Sequence, residues 1–246
     1  MNIIGIIPAR YASTRFPGKP LIDLGGKSMI QRVYEQCKKA SSLSDVIVAT
    51  DDERIVEHVQ TFGGKVLMTG NHHQSGTDRC AEVTLSYKGG CDAVINIQGD
   101  EPFINPEQIN ALASAFQLPH TQLASMKKKL THESDIQNPN MVKVVSNHAG
   151  DAIYFSRSPI PYRRNPEASI TYYKHIGIYG YRKETLLEIT QLPLGNLELA
   201  ENLEQLRWIE KGYRITLVET AMDNIAIDTP EDVKQALAFL SLSRLD

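Results

Sequence analysis

The sequence predicts an α/β protein built on a mostly parallel, mixed sheet with helices on both faces. Short apolar runs alternate with segments of helical periodicity through the first half. DVIVAT (45–50) is one such run, and DAVINIQ (92–98) is another with apolar residues on both faces, as strands in the middle of a sheet have. The alternation breaks once, after Gln122, and resumes near the C-terminal end, so the pattern is a chain of βαβ units with an antiparallel-rich insertion.

The elements follow in order. Asn2 to Ile7 reads as a buried strand, and Ser28 to Ala40 as a helix with Ser28 and Gln31 in capping-box spacing and Met29, Ile30, Val33 and Cys37 on one face. Asp45 to Thr50 is the second strand. Asp51 or Asp52 caps a helix carrying Ile55, Val56, Val59 and Phe62, which Gly63 and Gly64 stop. Lys65 to Met68 is the third strand, Asp78 to Tyr87 a helix ended by Gly89 and Gly90, and Asp92 to Gln98 the fourth strand. Asn105, Pro106 and Gln108 open a helix with Ile109, Leu112 and Phe116 inward. In the insertion, MVKVVSNHAGDAIYF (141–155) predicts two strands joined by a turn around Asn147 to Gly150, and Lys174 to Arg182 another strand. A helix from Glu198 to Lys211, a strand from Ile215 to Glu219 and a last helix capped by Thr229 with Pro230 at its first position complete the chain. Nothing resembles a linker or a repeat, so one domain is expected over residues 1–246, with an antiparallel-rich subdomain at about 122–182.

Bulk properties narrow the function. A net charge of −3 over 246 residues supplies no general field for nucleic acid or an anionic membrane, so any anion site must be built locally. Three cysteines, Cys37, Cys80 and Cys91, lie outside any CxxC pair and suggest neither disulfides nor zinc. No run reaches the ~20 apolar residues of a membrane span. A cytoplasmic protein is the expectation.

Ligands of parallel α/β sheets bind outside the C-terminal strand ends, and the loop after the first strand lies there. It carries Arg10, Arg15 and Lys19 between Pro8, Pro17, Gly18 and Pro20. No GxGxxG follows the strand, and Gly26-Lys27-Ser28 lacks the earlier glycine of a P-loop. Guanidinium forks match phosphate oxygens in pairs, so these residues form either a polyphosphate grip or a solvated basic loop. In QGDEP (98–102), Asp100 is either a turn or helix-cap residue or part of a hard-cation site, since magnesium takes one or two carboxylates and fills its other positions with water and phosphate. In IDTPED (227–232), capping explains Thr229, Pro230 and Asp232 and leaves Asp228 over, a candidate to complete a metal site with Asp100. His72 and His73 have no third ligand spaced near them, which favours a loop role.

IIPARYASTRFPGKPL, HQSGTDR, INIQGDEP, YFSRSPIPY, HIGIYGYR, LEQLRW and IDTPEDV occur in that order across nearly the whole chain. Together they resemble the 3-deoxy-manno-octulosonate (Kdo) cytidylyltransferases, also called CMP-Kdo synthetases. The resemblance implies a glycosyltransferase-A-like nucleotidyltransferase, usually a homodimer, that makes CMP-Kdo and pyrophosphate from CTP and Kdo with Mg2+ for lipopolysaccharide biosynthesis. It implies CTP binding by Arg10, Arg15, Lys19, Ser75, Gly76 and Arg79, the last three near cytosine. It implies metal binding by Asp100 and Asp228, which with Arg10 and Lys19 form the catalytic set. The sugar side is implied to comprise Gln98, Arg157, His175, Tyr179, Glu204 and Gln205, with Arg157 suited to the Kdo carboxylate. Read without the resemblance, Arg157 is a surface group, His175 and Tyr179 are strand side chains, and Glu204 and Gln205 lie on an exposed helix face. The chain departs from the family's usual pattern at Ala226, where relatives often carry glycine, in the basic stretch Met126 to Leu130, and in a short segment from Pro161 to Tyr173.

Overall fold

The computed structural model describes residues 1–12, 16–223 and 225–242, the side chain of Leu242 excepted. The chain divides into two compact units, Met1–Asn110 with Asp223–Asp246, and Ala111–Met222. The second is broader than the antiparallel stretch expected at 122–182.

The first unit is a run of βα repeats: β1 (Ile3–Ala9), α1 (Met29–Cys37), β2 (Asp45–Thr50), α2 (Glu53–Thr61), β3 (Val66–Met68), α3 (Gly76–Ser86), β4 (Ala93–Asn96) and the start of α4 (Pro106–Ser114). Its strands are parallel in the order β3-β2-β1-β4, with β1 pairing Ile4 to Asp45 on one side and to Val94 on the other. β2 and β4 are buried along their whole length, which accounts for their largely apolar sequence. The one acid in that buried set is Asp45. It is compensated by Lys65 Nζ at 2.6 Å and the Tyr87 hydroxyl at 2.9 Å, as a buried carboxylate requires. Helix starts follow their caps: the Ser28 hydroxyl accepts from Gln31 N at 3.2 Å and the Asp52 carboxylate from Arg54 N at 3.0 Å.

The second unit contains β5 (Leu123–Lys129), α5 (Glu133–Gln137), β6 (Lys143–Ser146), β7 (Ala152–Ser156), β8 (Tyr173–Arg182), α6 (Lys183–Ile189), α7 (Asn196–Glu201), α8 (Gln205–Glu210) and β9 (Ile215–Glu219). β5 runs antiparallel to β8 and parallel to β9. β6 and β7 form the expected hairpin, closed by Gly150 N donating to Asn147 O at 3.1 Å. The final helix, α9 (Pro230–Leu242), belongs to the first unit.

The single helix expected over Glu198 to Lys211 is two helices. Asn202 adopts the left-handed conformation (φ 52°, ψ 50°) and ends α7, a conformation that Asn tolerates better than most residues. The carbonyl of Glu201, just before this break, accepts from Arg157 Nε at 2.8 Å.

Candidate active site

The loop after β1 is shaped by local chemistry. Gly18 has φ +72°, which lets its N–H reach back to Tyr11 O at 2.9 Å and its carbonyl cap a single 3-10 turn, Lys19–Leu21. The Arg54 guanidinium lies over the Tyr11 ring, 3.3 Å from its centroid, and pins the start of the loop. Arg10, Lys19, Gln98 and Asp100 line one cleft of about 160 Å³ with Pro8 and Gly99. Arg10 Nη2 donates to His73 O at 2.7 Å, and the His73 ring is in turn paired with Glu82. Arg15 lies outside the described residues.

Asp228 is brought to Asp100 by the backbone. Ile227 N donates to Asp100 O at 2.9 Å, and Ile227 is buried in a cluster with Leu24, Met29 and Ala236. Asp232 Oδ2 then accepts from Asp228 N (2.9 Å), Thr229 N (2.8 Å) and Thr229 Oγ1 (2.9 Å), fixing the turn before α9. Lys19 Nζ sits between the two carboxylates, 2.8 Å from Asp100 Oδ2 and 3.0 Å from Asp228 Oδ1. Burial works against the Lys19 charge, but the adjacent Asp100 and Asp228 outweigh it and raise its pKa above the ordinary lysine value. Among the described residues no group of three or more His, Cys, Asp or Glu is gathered around a possible metal position. Two aspartates converging on one positive charge are nevertheless a donor set that fits Mg2+, whose remaining positions water and phosphate oxygens fill.

Ser75 and Gly76 open α3. The Ser75 hydroxyl accepts from Asp78 N at 3.1 Å while Asp78 Oδ2 accepts from Ser75 N at 3.0 Å, a closed capping box. The helix therefore starts two residues earlier than the apolar pattern suggests. Arg79, placed near cytosine by resemblance, is fully buried. Its Nη2 holds Asp51 Oδ2 at 2.9 Å and its Nη1 donates to the Thr69 hydroxyl, which ties α3 to the residues that follow β2 and β3.

The second unit gathers most of the other polar candidates. His175 Nε2 meets Ser125 Oγ at 2.8 Å, and its ring packs edge-on against Phe155 and next to Tyr179. Burial pushes the His175 pKa down to about 3, so the ring is neutral at ordinary pH. Tyr179 packs against Trp208, and burial together with the Glu204 charge raises its hydroxyl pKa. Gln205 is buried in α8, with Glu204 at the cap position before it, so that pair is no exposed helix face. The Arg157 guanidinium is turned to carbonyls, Glu201 O at 2.8 Å, Pro139 O at 3.2 Å and Asn202 O at 3.4 Å, and the Arg157 backbone N–H donates to the Glu201 carboxylate at 2.9 Å. Sequence reasoning missed Ser125 and Glu201. Ser125 stands at a bulge where β5 and β8 change register, and its hydroxyl bonds Ile178 O at 2.9 Å; a serine in an apolar run was the only available signal.

Residues 4–215 match a family model described as Cytidylyltransferase, which sets the class of protein. The chain is 55% identical over 250 residues to the 3-deoxy-manno-octulosonate cytidylyltransferase of Parabacteroides distasonis, covering 98% of this chain and 99% of that one. It resembles a solved structure of CMP:2-keto-3-deoxy-manno-octonic acid synthetase complexed with CTP at a TM-score of 0.94 and 43% identity, over 99% and 100% of the two chains. A 4-diphosphocytidyl-2C-methyl-D-erythritol synthase from Anaerococcus prevotii shares the fold, with a TM-score of 0.63 at 16% identity over 98% of each chain. The chain belongs to the 3-deoxy-manno-octulosonate cytidylyltransferase family. Its fold is the mixed, mostly parallel α/β nucleotidyltransferase fold.

Proposed function

We propose that this chain activates Kdo with CTP. The anomeric hydroxyl oxygen attacks the α-phosphorus, the bond to pyrophosphate breaks, and the hydroxyl proton passes to solvent. The observation that carries the site assignment is Lys19 held between Asp100 and Asp228 in a cleft that Arg10 also lines. Arg10, Arg15 and Lys19 grip the triphosphate through charge-assisted hydrogen bonds, and the backbone around Ser75 and Gly76 reads the base. Arg79 acts as a positioning residue for α3, since its side chain is enclosed. Mg2+ held by Asp100 and Asp228 would supply charge neutralisation at the phosphate and a lowered hydroxyl pKa.

On the sugar side, Gln98, Arg157, His175, Tyr179, Glu204 and Gln205 orient the acceptor. Neutral His175 serves as a hydrogen-bond partner rather than a charge. Arg157 is the basic group for the Kdo carboxylate, and Glu201 O keeps its guanidinium in place. The two units work as one nucleotidyltransferase domain, in a cytoplasmic homodimer whose product feeds lipopolysaccharide biosynthesis.

Pyrophosphate release from purified protein with CTP and Mg2+ tests the reaction. Release is expected with Kdo, and near-background release without it. Release that ignores Kdo, or turns over faster with an 8-amino analogue, overturns the substrate assignment. Asp100→Asn is expected to lower kcat by ~100-fold or more, on the scale of losing a group that stabilises transition-state charge. A variant with near wild-type rates removes Asp100 from the metal site.

A further inference from the structure

Two carboxylates aimed at one point repel each other unless a cation lies between them. In this structure the cation is part of the chain: Lys19 Nζ donates to both, at 2.8 and 3.0 Å, with only 15% of the lysine side chain exposed. Lys19 is brought there by a turn that depends on the left-handed Gly18, and Asp228 by the backbone bond from Ile227 to Asp100. The three groups therefore come from three separate stretches, each fixed by backbone geometry. The same ammonium belongs to the loop assigned to the triphosphate, and with two of its three N–H donors on the carboxylates it has only one left for phosphate oxygens.

We propose that Lys19 is an internal stand-in for the divalent cation: it occupies the Asp100–Asp228 pair in the nucleotide-free protein and leaves it for the triphosphate. This rests on the assignment of the two aspartates to the metal and of Lys19 to CTP. Metal alone must compete with a tethered ammonium already making two charge-assisted hydrogen bonds. The polyphosphate gives that ammonium an alternative partner and frees the carboxylates at the moment when a phosphate-bound ion arrives. Metal and nucleotide are thereby coupled, since each favours the arrangement that the other needs. The device keeps the carboxylates close together in the empty enzyme and keeps free divalent ions from filling the site alone.

Mn2+ binding to nucleotide-free protein, followed by electron paramagnetic resonance, reads this directly. Lys19→Met and Lys19→Gln are expected to bind Mn2+ at least about tenfold more tightly than wild type, given that each charge-assisted bond removed from the competitor contributes on that scale. Lys19→Arg, which retains the cation, is expected to stay within about threefold of wild type, and adding Asp100→Asn to Lys19→Met is expected to abolish the gain. Melting curves identify folded variants, and either neutral substitution suffices. Equal or weaker Mn2+ binding by the folded neutral variants overturns the proposal, as does a gain that survives Asp100→Asn. A second measurement separates this from the underlying assignment: Mn2+ bound per bound CTP, in wild type and in Asp100→Asn. If the neutral variants show no gain but Asp100→Asn lowers that ratio, the stand-in role falls and the metal assignment stands. An unchanged ratio removes both.

Discussion

A methyl group on Gly99 would sit 2.7 Å from the Pro8 carbonyl oxygen, so the lack of a side chain there is what lets the loop carrying Asp100 lie against the end of β1. The obstacle is backbone, which cannot rotate away. Gly99→Ala is expected to cost about 1–3 kcal/mol of stability, the usual range for overpacking a tight contact, measured by urea denaturation. Because Asp100 is the next residue, activity is expected to fall further than stability explains, on the order of 100-fold for a shift near 1 Å. Unchanged kinetics in a folded variant would show that the loop relaxes without moving the carboxylate. Arg79 shows the limit of reading a motif for contacts. Its place in HQSGTDR implies a nucleotide neighbour, whereas its side chain is spent on Asp51 and Thr69.

At the level of elements, caps and breaks matter more than apolar periodicity. The Ser75–Asp78 box closes the start of α3, and Ser75→Ala is expected to lower stability by ~1 kcal/mol, within the range for losing an N-cap, seen as a lower melting temperature. Glycine at the same position is expected to cost only a few tenths of a kcal/mol. The βα repeats of the first unit were legible because strand and helix periods differ and each helix starts at a polar cap. β9 was read with the bounds it has, Ile215–Glu219. The break between α7 and α8 was not legible: Asn202 and Glu201 look like ordinary helix-surface residues, and the Glu201 carbonyl at the break is met by Arg157, 44 positions earlier. Of the candidate site, the residue types and strand-end positions could be read from sequence. The meeting of Lys19 with Asp228 could not, because it is made by a bond across 209 positions.

For the whole molecule, His175 links folding to pH. Its folded pKa is about 3, against an ordinary value near 6.5. The unfolded chain takes up a proton as pH falls below 6.5 while the folded ring stays neutral. The stabilising contribution is thus complete above that value and is lost progressively towards pH 3, with a slope of up to about 1.4 kcal/mol per pH unit for one proton. The difference in urea midpoint between pH 7 and pH 5 is expected to be smaller in His175→Asn than in the parent. An equal difference would show that other groups govern the acid sensitivity.

Asp228 reaches Asp100 only once the stretch leading into the last helix has docked on the sheet that was made first. On the ribosome, the parallel strands and the basic loop can be in place long before the second carboxylate has been synthesised. A nascent chain, or one severed by a protease and stripped of its later fragment, would hold half of the acidic pair. The Asp100–Asp228 pair is thereby assembled late, after residue 228 has been made and its turn has met the earlier loop.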